Sequence, residues 1–252
     1  MQNRIALITG GSRGLGRSGA LALARRGVGV VLTYRSQKAE ADGVVAEIEG
    51  QGGKAIALAL DVGHSATFAE FAERVKQALR AKWDRDSFDF LVNNAGIGVH
   101  AQFAQTTEEQ FTELMNVHLK GPFFLTQTLL PLIADGGRIL NISTGLTRFA
   151  LPGYSAYAAM KGALEVLTRY WAKELGPRRI SVNTLAPGAI ETDFGGGAVR
   201  DNPQINAFIA SQTALGRVGK PDDIGGAIAG LLADESCWIN AQRIEATGGM
   251  FV

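Results

Sequence analysis

The amino-acid sequence predicts an α/β fold, a doubly wound Rossmann-type parallel sheet with helices on both faces, built as a single domain over residues 1 to 252. Three observations predict it. Short apolar runs rich in Val, Ile and Leu alternate with longer stretches of helical periodicity, as buried parallel strands alternate with crossover helices. A glycine cluster follows the first apolar run. No repeat, low-complexity tract or linker divides the chain, and one α/β core accommodates this length.

The strands are read at "RIALIT" (4 to 9), "GVVLTY" (29 to 34), "KAIALAL" (54 to 60), "FDFLVNN" (88 to 94), "GRILNIS" (137 to 143) and "ISVNTLA" (180 to 186). Between them, "SQKAEADGVVAEIEGQG" and "SATFAEFAERVKQALRAKW" carry apolar residues every three or four positions with charges opposite, which predicts amphipathic helices. Right-handed crossovers place ligands beyond the carboxyl ends of the strands, so the residues that follow each strand are the ones to search for chemistry. The Gly-rich stretch 188 to 204 is long enough for a lid or binding element and is expected to be mobile when empty.

Hydrophobic residues make up 46% and charged residues 19%, with a formal net charge of +1, a balance that fits a soluble globular protein and gives no field for nucleic acid or an anionic membrane. A small-molecule ligand is expected. The start "MQNRIALITGG" lacks the features of a signal peptide, and no apolar run of membrane-spanning length occurs, so a cytoplasmic location is expected. The single Cys237 has no internal disulfide partner and, between apolar neighbours, reads as core packing. His64, His100 and His118 show no ligand spacing, and no metal is expected.

In "RIALITGGSRGLGRSGALALARRG" the glycines sit between a strand and a helix, where backbone N–H groups and the helix dipole hold a pyrophosphate. Gly14, Gly16 and Gly19 fit G-x-G-x-x-G, while Thr9, Gly10, Gly14 and Gly16 fit T-G-x-x-x-G-x-G. The second register is preferred, because the tight turn then begins at the strand end. Gly10, Ser12, Arg13, Gly14, Leu15 and Gly16 are thus candidate cofactor contacts. At the end of the second strand, where an NAD site carries an acidic residue, the chain reads Tyr34, Arg35, Ser36. A carboxylate would repel a 2'-phosphate, whereas Arg35 and Arg13 pair with one. NADP(H) is expected in preference to NAD(H).

With "TGGSRGLG" at 9 to 16, "NNAG" at 93 to 96, Asn116 in "MNVHLKG", "YAAMK" at 157 to 161 and "PGAIET" at 187 to 192, the chain resembles the short-chain dehydrogenase/reductase family over nearly its whole length. The resemblance implies a nicotinamide cofactor, a carbonyl or secondary alcohol substrate and a homotetramer, with one interface at the last strand and preceding helix and another along 107 to 134 and 154 to 176. It assigns proton donation to Tyr157, with Lys161 four residues on along the same helix face. Acting as a base near neutrality, the phenol would need its pKa lowered by roughly 3, and the Lys161 ammonium is expected to supply part of that pull. Lys161 also meets the nicotinamide ribose, and Asn116 anchors a water linking Lys161 to solvent. The family's serine falls at Thr144, with Ser143 beside it; strand alternation sends the two to opposite sides, and Thr144 is chosen.

By the same resemblance Asp61 and Val62 meet adenine, and Asn93, Ala95 and Gly96 lie beneath the adenosine, although Asn93 serves equally well to hold the central strands together. Pro187, Gly188, Ile190 and Thr192 grip the nicotinamide carboxamide, a turn or cap hydroxyl being the alternative for Thr192. Phe149, Leu151, Tyr154 and Phe194 are expected to line an apolar, aromatic-tolerant substrate cavity. Within this family, a 3-oxoacyl-carrier-protein reductase of fatty-acid synthesis is the narrower alternative. A non-catalytic NADP(H) sensor is the rival from another class, and it has no use for an intact Tyr157 and Lys161.

Overall fold

A computed structural model describes residues 3–252. Seven strands form one parallel sheet: β1 (Ile5–Ile8), β2 (Gly29–Tyr34), β3 (Ala55–Ala59), β4 (Phe88–Asn93), β5 (Ile133–Ile142), β6 (Ser181–Pro187) and β7 (Arg243–Ala246). Their order is β3-β2-β1-β4-β5-β6-β7. The chain winds outward from β1 to β3, then returns to place β4 against the other side of β1 and winds outward again. The reversal leaves a crevice beyond the ends of β1 and β4, the place where such sheets bind ligands.

Side chains alternate across each strand and divide the core in two. Ala6, Ile8, Val30, Leu32 and Val92 pack with Leu23, Val44, Ile48, Ile224 and Ile228 on one face. These come from α1 (Gly14–Ala24), α2 (Lys38–Gly50) and α9 (Pro221–Leu231). Ile5, Leu7, Val31 and Leu91 pack with Phe71, Val75, Leu129, Leu164 and Trp171 on the other. There the helices are α3 (Phe68–Trp83), α5 (Gly121–Leu129) and α6 (Ser155–Leu175). A strand buried on both faces must be apolar throughout, which is why six of the seven were legible as runs.

β7 was not. It pairs with β6 at the sheet edge, is only half-buried, and mixes Arg243 and Glu245 with its apolar residues. Its charges are stabilised by tertiary partners: Arg243 Nε donates to Glu165 at 2.9 Å, and Glu245 accepts from Arg148 Nε at 2.7 Å. β5 also begins earlier than expected, at Ile133, with a register irregularity against β4 between Phe88 and Phe90. Cys237 is a correction: it is exposed, next to a Trp238 that is 95% exposed, because it follows a short 3-10 turn over Asp234–Ser236 rather than lying in a helix core.

Between β4 and β5, α4 (Glu108–Met115) runs through a π-turn, Asn116–Lys120, into α5. α4 opens with a capping box in which Thr107 and Gln110 satisfy each other's backbone N–H groups. The stretch 188 to 204, expected as a mobile loop, has structure of its own: a 3-10 turn over Phe194–Gly197 and α7 (Ala198–Asp201), followed by α8 (Pro203–Ser211).

Candidate active site

The turn after β1 is built in the preferred register. Gly10 and Gly14 take φ of +65° and +55°, a region that disfavours side chains. A Cβ on Gly16 would lie 2.2 Å from the Gly10 carbonyl oxygen, so the first turn of α1 closes over the loop only with glycine there. Gly19, the last glycine of the rejected register, faces Ile228 of α9 and serves helix packing. Ser12 and Leu15 are half-buried along this turn, and Arg13 is exposed.

Asn94 buttresses the loop, a role the sequence reading did not assign. Its Nδ2 donates to the carbonyls of Thr9 at 2.8 Å and Gly10 at 3.0 Å, and its backbone N–H donates to Thr9 Oγ1 at 3.0 Å. Ala95 N–H shares that hydroxyl at 3.0 Å. The neighbouring Asn93 corrects the list of cofactor contacts. Its side chain is buried inside the sheet, donating to Thr126 Oγ1 at 3.1 Å and Asn141 Oδ1 at 2.8 Å, so it holds the central strands together. The signal for Asn94 was its place one residue beyond the strand, where a side chain reaches the neighbouring turn.

A cleft of about 490 Å³ opens beyond the ends of β2 and β3, lined by Arg35, Asp61, His64, Glu109, Asn116 and Val117 among others. Arg35 is exposed and makes no ion pair with a described residue, whereas Arg13 lies 3.8 Å from Asp193. Tyr34 is half-buried against the core and Ser36 is exposed. Asp61 Oδ1 accepts from Gly63 N–H at 2.8 Å. The Val62 side chain is buried in the core.

At the other end, Tyr157 and Lys161 project from α6 and are 6% and 4% exposed. Lys161 Nζ donates to the Ile142 carbonyl at 2.7 Å and lies 5.9 Å from the Tyr157 ring centroid. Burial pulls the Lys161 ammonium down to about 8, against the attraction of Glu165 one turn away. The Tyr157 phenol moves opposite to expectation. Burial raises its pKa well above the usual tyrosine value, the neighbouring Thr144 side chain pulls the other way, and Tyr154 adds to the rise. Desolvation, which penalises the phenolate, is the largest of these effects, and Lys161 is not among them. The site therefore holds a neutral phenol, ready to donate.

Thr144 and Ser143 separate as strand alternation requires. Ser143 Oγ donates to Glu165 at 2.6 Å, away from Tyr157. Thr144 faces the phenol, and its carbonyl is held by Arg243 Nη2 at 3.2 Å. Asn116 opens the π-turn and lines the outer cleft. His118, in the same turn and 1% exposed, has its ring edge-on to Tyr157 at 5.1 Å between centroids.

Phe194 stands across Tyr157 at 5.6 Å between ring centroids and is 43% exposed, and Tyr154 packs in the same cluster with Ile97, Val99 and Leu146. The last three were missed because loop residues after β4 and β5 carry no periodicity. Phe149 is a correction: it stacks on Phe251 at 4.8 Å and belongs to a separate cluster with Ile209, Val218 and Met250. Leu151 is half-buried in the loop before α6. Pro187 ends β6, Gly188 lies against Thr247, and Ile190 bridges to Gly219. Thr192 Oγ1 accepts from Phe194 N–H at 3.2 Å, the turn-hydroxyl role, while its methyl group lies beside Gly14.

The family profile described as Enoyl-(Acyl carrier protein) reductase matches residues 10–251. The chain is 35% identical to the tetrahydroxynaphthalene reductase PfmaG of Pestalotiopsis fici, over 98% of this chain and 91% of that protein. It matches the promiscuous reductase LugOII, which catalyses keto-reduction at C1 during lugdunomycin biosynthesis, with TM-score 0.94 and 40% identity over 100% and 99% of the two chains. The landomycin C-6 ketoreductase LanV with bound NADP and rabelomycin matches with TM-score 0.90 and 34% identity, over 99% and 97%.

Proposed function

Because the chain belongs to the short-chain dehydrogenase/reductase family, we propose that this oxidoreductase uses NADPH to reduce the carbonyl group of polycyclic aromatic ketones, with Tyr157 as proton donor. The observation that carries the reading is the neutral, buried Tyr157 phenol, flanked by Thr144 and Lys161 and faced by the ring of Phe194.

The residues fit a dinucleotide. Gly10, Gly14 and Gly16 leave the backbone of the first turn bare, as a pyrophosphate at a helix N-terminus requires. Asp61 and the Val62 main chain would hold the adenine, and Ala95 and Gly96 would lie beneath the adenosine. Pro187, Gly188, Ile190 and Thr192 would hold the nicotinamide. Arg35 carries the selection of a 2'-phosphate, because Arg13 shares its charge with Asp193. When bound, the reduced cofactor supplies a hydride to the carbonyl carbon.

Tyr157 then gives its Oη proton to the carbonyl oxygen, a step worth about 100 to 10,000-fold in rate. The Thr144 hydroxyl donates a hydrogen bond to that same oxygen and fixes its position. Lys161, held to Ile142, places positive charge beside the phenolate left on Tyr157. Tyr154, Phe194, Ile97, Val99 and Leu146 form an apolar, partly aromatic wall that suits fused rings and excludes water from the reacting carbonyl. Exposed Phe111, Phe124, Val166 and Tyr170 on α4, α5 and α6 support assembly into a homo-oligomer.

The test is NADPH oxidation with tetralones, anthraquinones and hydroxylated naphthalenones, set against acyl thioesters and aliphatic ketones. Turnover is expected with the fused-ring ketones and lost by at least about 100-fold in Tyr157→Phe. Faster turnover of 3-oxoacyl thioesters than of any aromatic ketone would move the reading to the acyl-thioester alternative. Full activity in folded Tyr157→Phe would remove the mechanism.

A further inference from the structure

Three charged side chains hold three successive residues where β5 ends and the Thr144 hydroxyl begins. Lys161 Nζ donates to the Ile142 carbonyl at 2.7 Å, Glu165 accepts from Ser143 Oγ at 2.6 Å, and Arg243 Nη2 donates to the Thr144 carbonyl at 3.2 Å. Lys161 and Glu165 lie one turn apart on α6, so a single helix face meets the strand end at both. Arg243 comes from the edge strand β7, 99 positions away from Thr144 in the chain. Nothing in the proposed reaction accounts for it.

Arg243 and Glu165 form a largely buried ion pair, with side chains 25% and 12% exposed and Nε donating to Glu165 Oε1 at 2.9 Å. A pair that only offset its own desolvation would need no contact beyond this one. Here further bonds converge on the turn that follows β5. Arg243 Nη2 also donates to Thr147 Oγ1 at 2.9 Å. That hydroxyl lies 2.8 Å from Glu165 Oε1 and 3.0 Å from the Thr144 carbonyl, and it has one proton to give. Whichever oxygen Thr147 serves, the Thr144 carbonyl keeps Arg243 as a donor. The planar guanidinium meets Glu165, Thr147 and Thr144 together because its N–H groups point in fixed directions, and Nη1, donating to Glu245 at 2.7 Å, ties it to β7. Thr144 Oγ1 in turn accepts from Leu146 N–H at 3.3 Å, which occupies a lone pair and leaves the hydroxyl proton available to donate.

We propose that Arg243 is a positioning residue for Thr144: braced by Glu165, it clamps the strand end from which the Thr144 hydroxyl holds the substrate carbonyl oxygen. This role rests on the carbonyl-reductase reading. Arg243 acts through the Thr144 main chain and not on the substrate, so loosening the clamp misplaces a hydrogen bond that matters in the transition state and leaves nucleotide binding intact.

Arg243→Lys tests it, because lysine keeps a cation opposite Glu165 and Glu245 but has no fork to reach Thr147 and Thr144 as well. With NADPH and a tetralone, the variant should lower kcat by about 5 to 10-fold while KM for ketone and NADPH stays within about threefold. A double variant with Thr144→Val separates positioning from plain stabilisation. Thr144→Val retains the carbonyl that Arg243 holds but has no hydroxyl to place, so adding Arg243→Lys should then cost less than about twofold. An undiminished kcat in folded Arg243→Lys, or equal losses in the two backgrounds, would overturn the proposal. Should Arg243→Lys fail to fold, Thr147→Val removes the hydroxyl that Arg243 and Glu165 share and keeps both charges; it should show the same loss and the same lack of additivity, and additive losses there overturn the clamp. In amide hydrogen exchange of the nucleotide-free protein, the Leu146 and Arg148 N–H groups, bonded to Thr144 Oγ1 and the Gly145 carbonyl, should exchange at least about fivefold faster in either variant, and unchanged rates would overturn it too. Absence of ketone turnover in the wild-type protein is the failure of the carbonyl reading instead, and exchange then decides the clamp alone.

Discussion

Replacing Lys161 with methionine should make the empty protein more stable at neutral pH and catalytically dead. Burial drags the ammonium from 10.5 to about 8, a penalty of about 3 kcal/mol for keeping the charge inside. Methionine fills a similar volume without charge, but it leaves the Ile142 carbonyl without its 2.7 Å donor, a loss of about 1 kcal/mol. The net gain for Lys161→Met is therefore about 2 kcal/mol at pH 7.

The sign of the pH dependence follows from which state holds the proton. Between the folded value of about 8 and the unfolded value of 10.5, the unfolded chain binds more protons at this site. Wild-type stability therefore gains with rising pH across that window, and the full penalty is felt below it. The advantage of methionine should shrink through the same window and reverse to about −1 kcal/mol near pH 10.5. Other titrations, including that of Tyr157, are common to both proteins and largely cancel in the difference. Urea denaturation of the nucleotide-free proteins at matched concentration, from pH 7 to pH 10.5, measures it. A variant less stable than wild type at pH 7, or a difference that does not change with pH, would refute the claim that Lys161 is a desolvated cation.

Thr144→Val should lower kcat by about 10 to 100-fold with NADPH affinity unchanged, because it removes a hydrogen-bond donor from the carbonyl oxygen. Ser143→Ala should act mainly on stability, since Ser143 Oγ is bonded to Glu165; the reverse pattern in steady-state kinetics would reassign the hydroxyl. Arg35→Ser should raise KM for NADPH by about 10-fold or more and leave KM for NADH nearly unchanged, the loss of one charge-assisted phosphate contact. Equal effects on both nucleotides would remove Arg35 from cofactor selection. Phe194→Ala should raise KM for fused-ring ketones by about 5 to 10-fold and leave small aliphatic ketones little changed, since it removes the ring opposite Tyr157.

What the sequence determined by itself was whatever depends on local spacing or on burial from both sides. Six strands read as apolar runs because parallel strands have no solvent face. The glycine turn was legible because only glycine fits Gly10 at φ +65° and Gly16 against the Gly10 carbonyl. Tyr157 and Lys161 share a helix face at four residues' spacing, and strand alternation alone separated Thr144 from Ser143.

The tertiary structure decided the rest, because those properties belong to surroundings the chain brings together from afar. β7 was hidden by Arg243 and Glu245, whose charges find partners outside the strand in Glu165 on α6 and in Arg148. Asn93 was assigned to the sheet by Thr126 and Asn141, residues 33 and 48 positions away. Cys237 reads as core among its neighbours, yet the turn before it leaves it exposed. The π-turn brings His118 edge-on to Tyr157, and no spacing rule registers a turn that departs from 3.6 residues. Proton affinities, too, followed only from depth: the same burial that keeps Tyr157 neutral loosens the proton on Lys161.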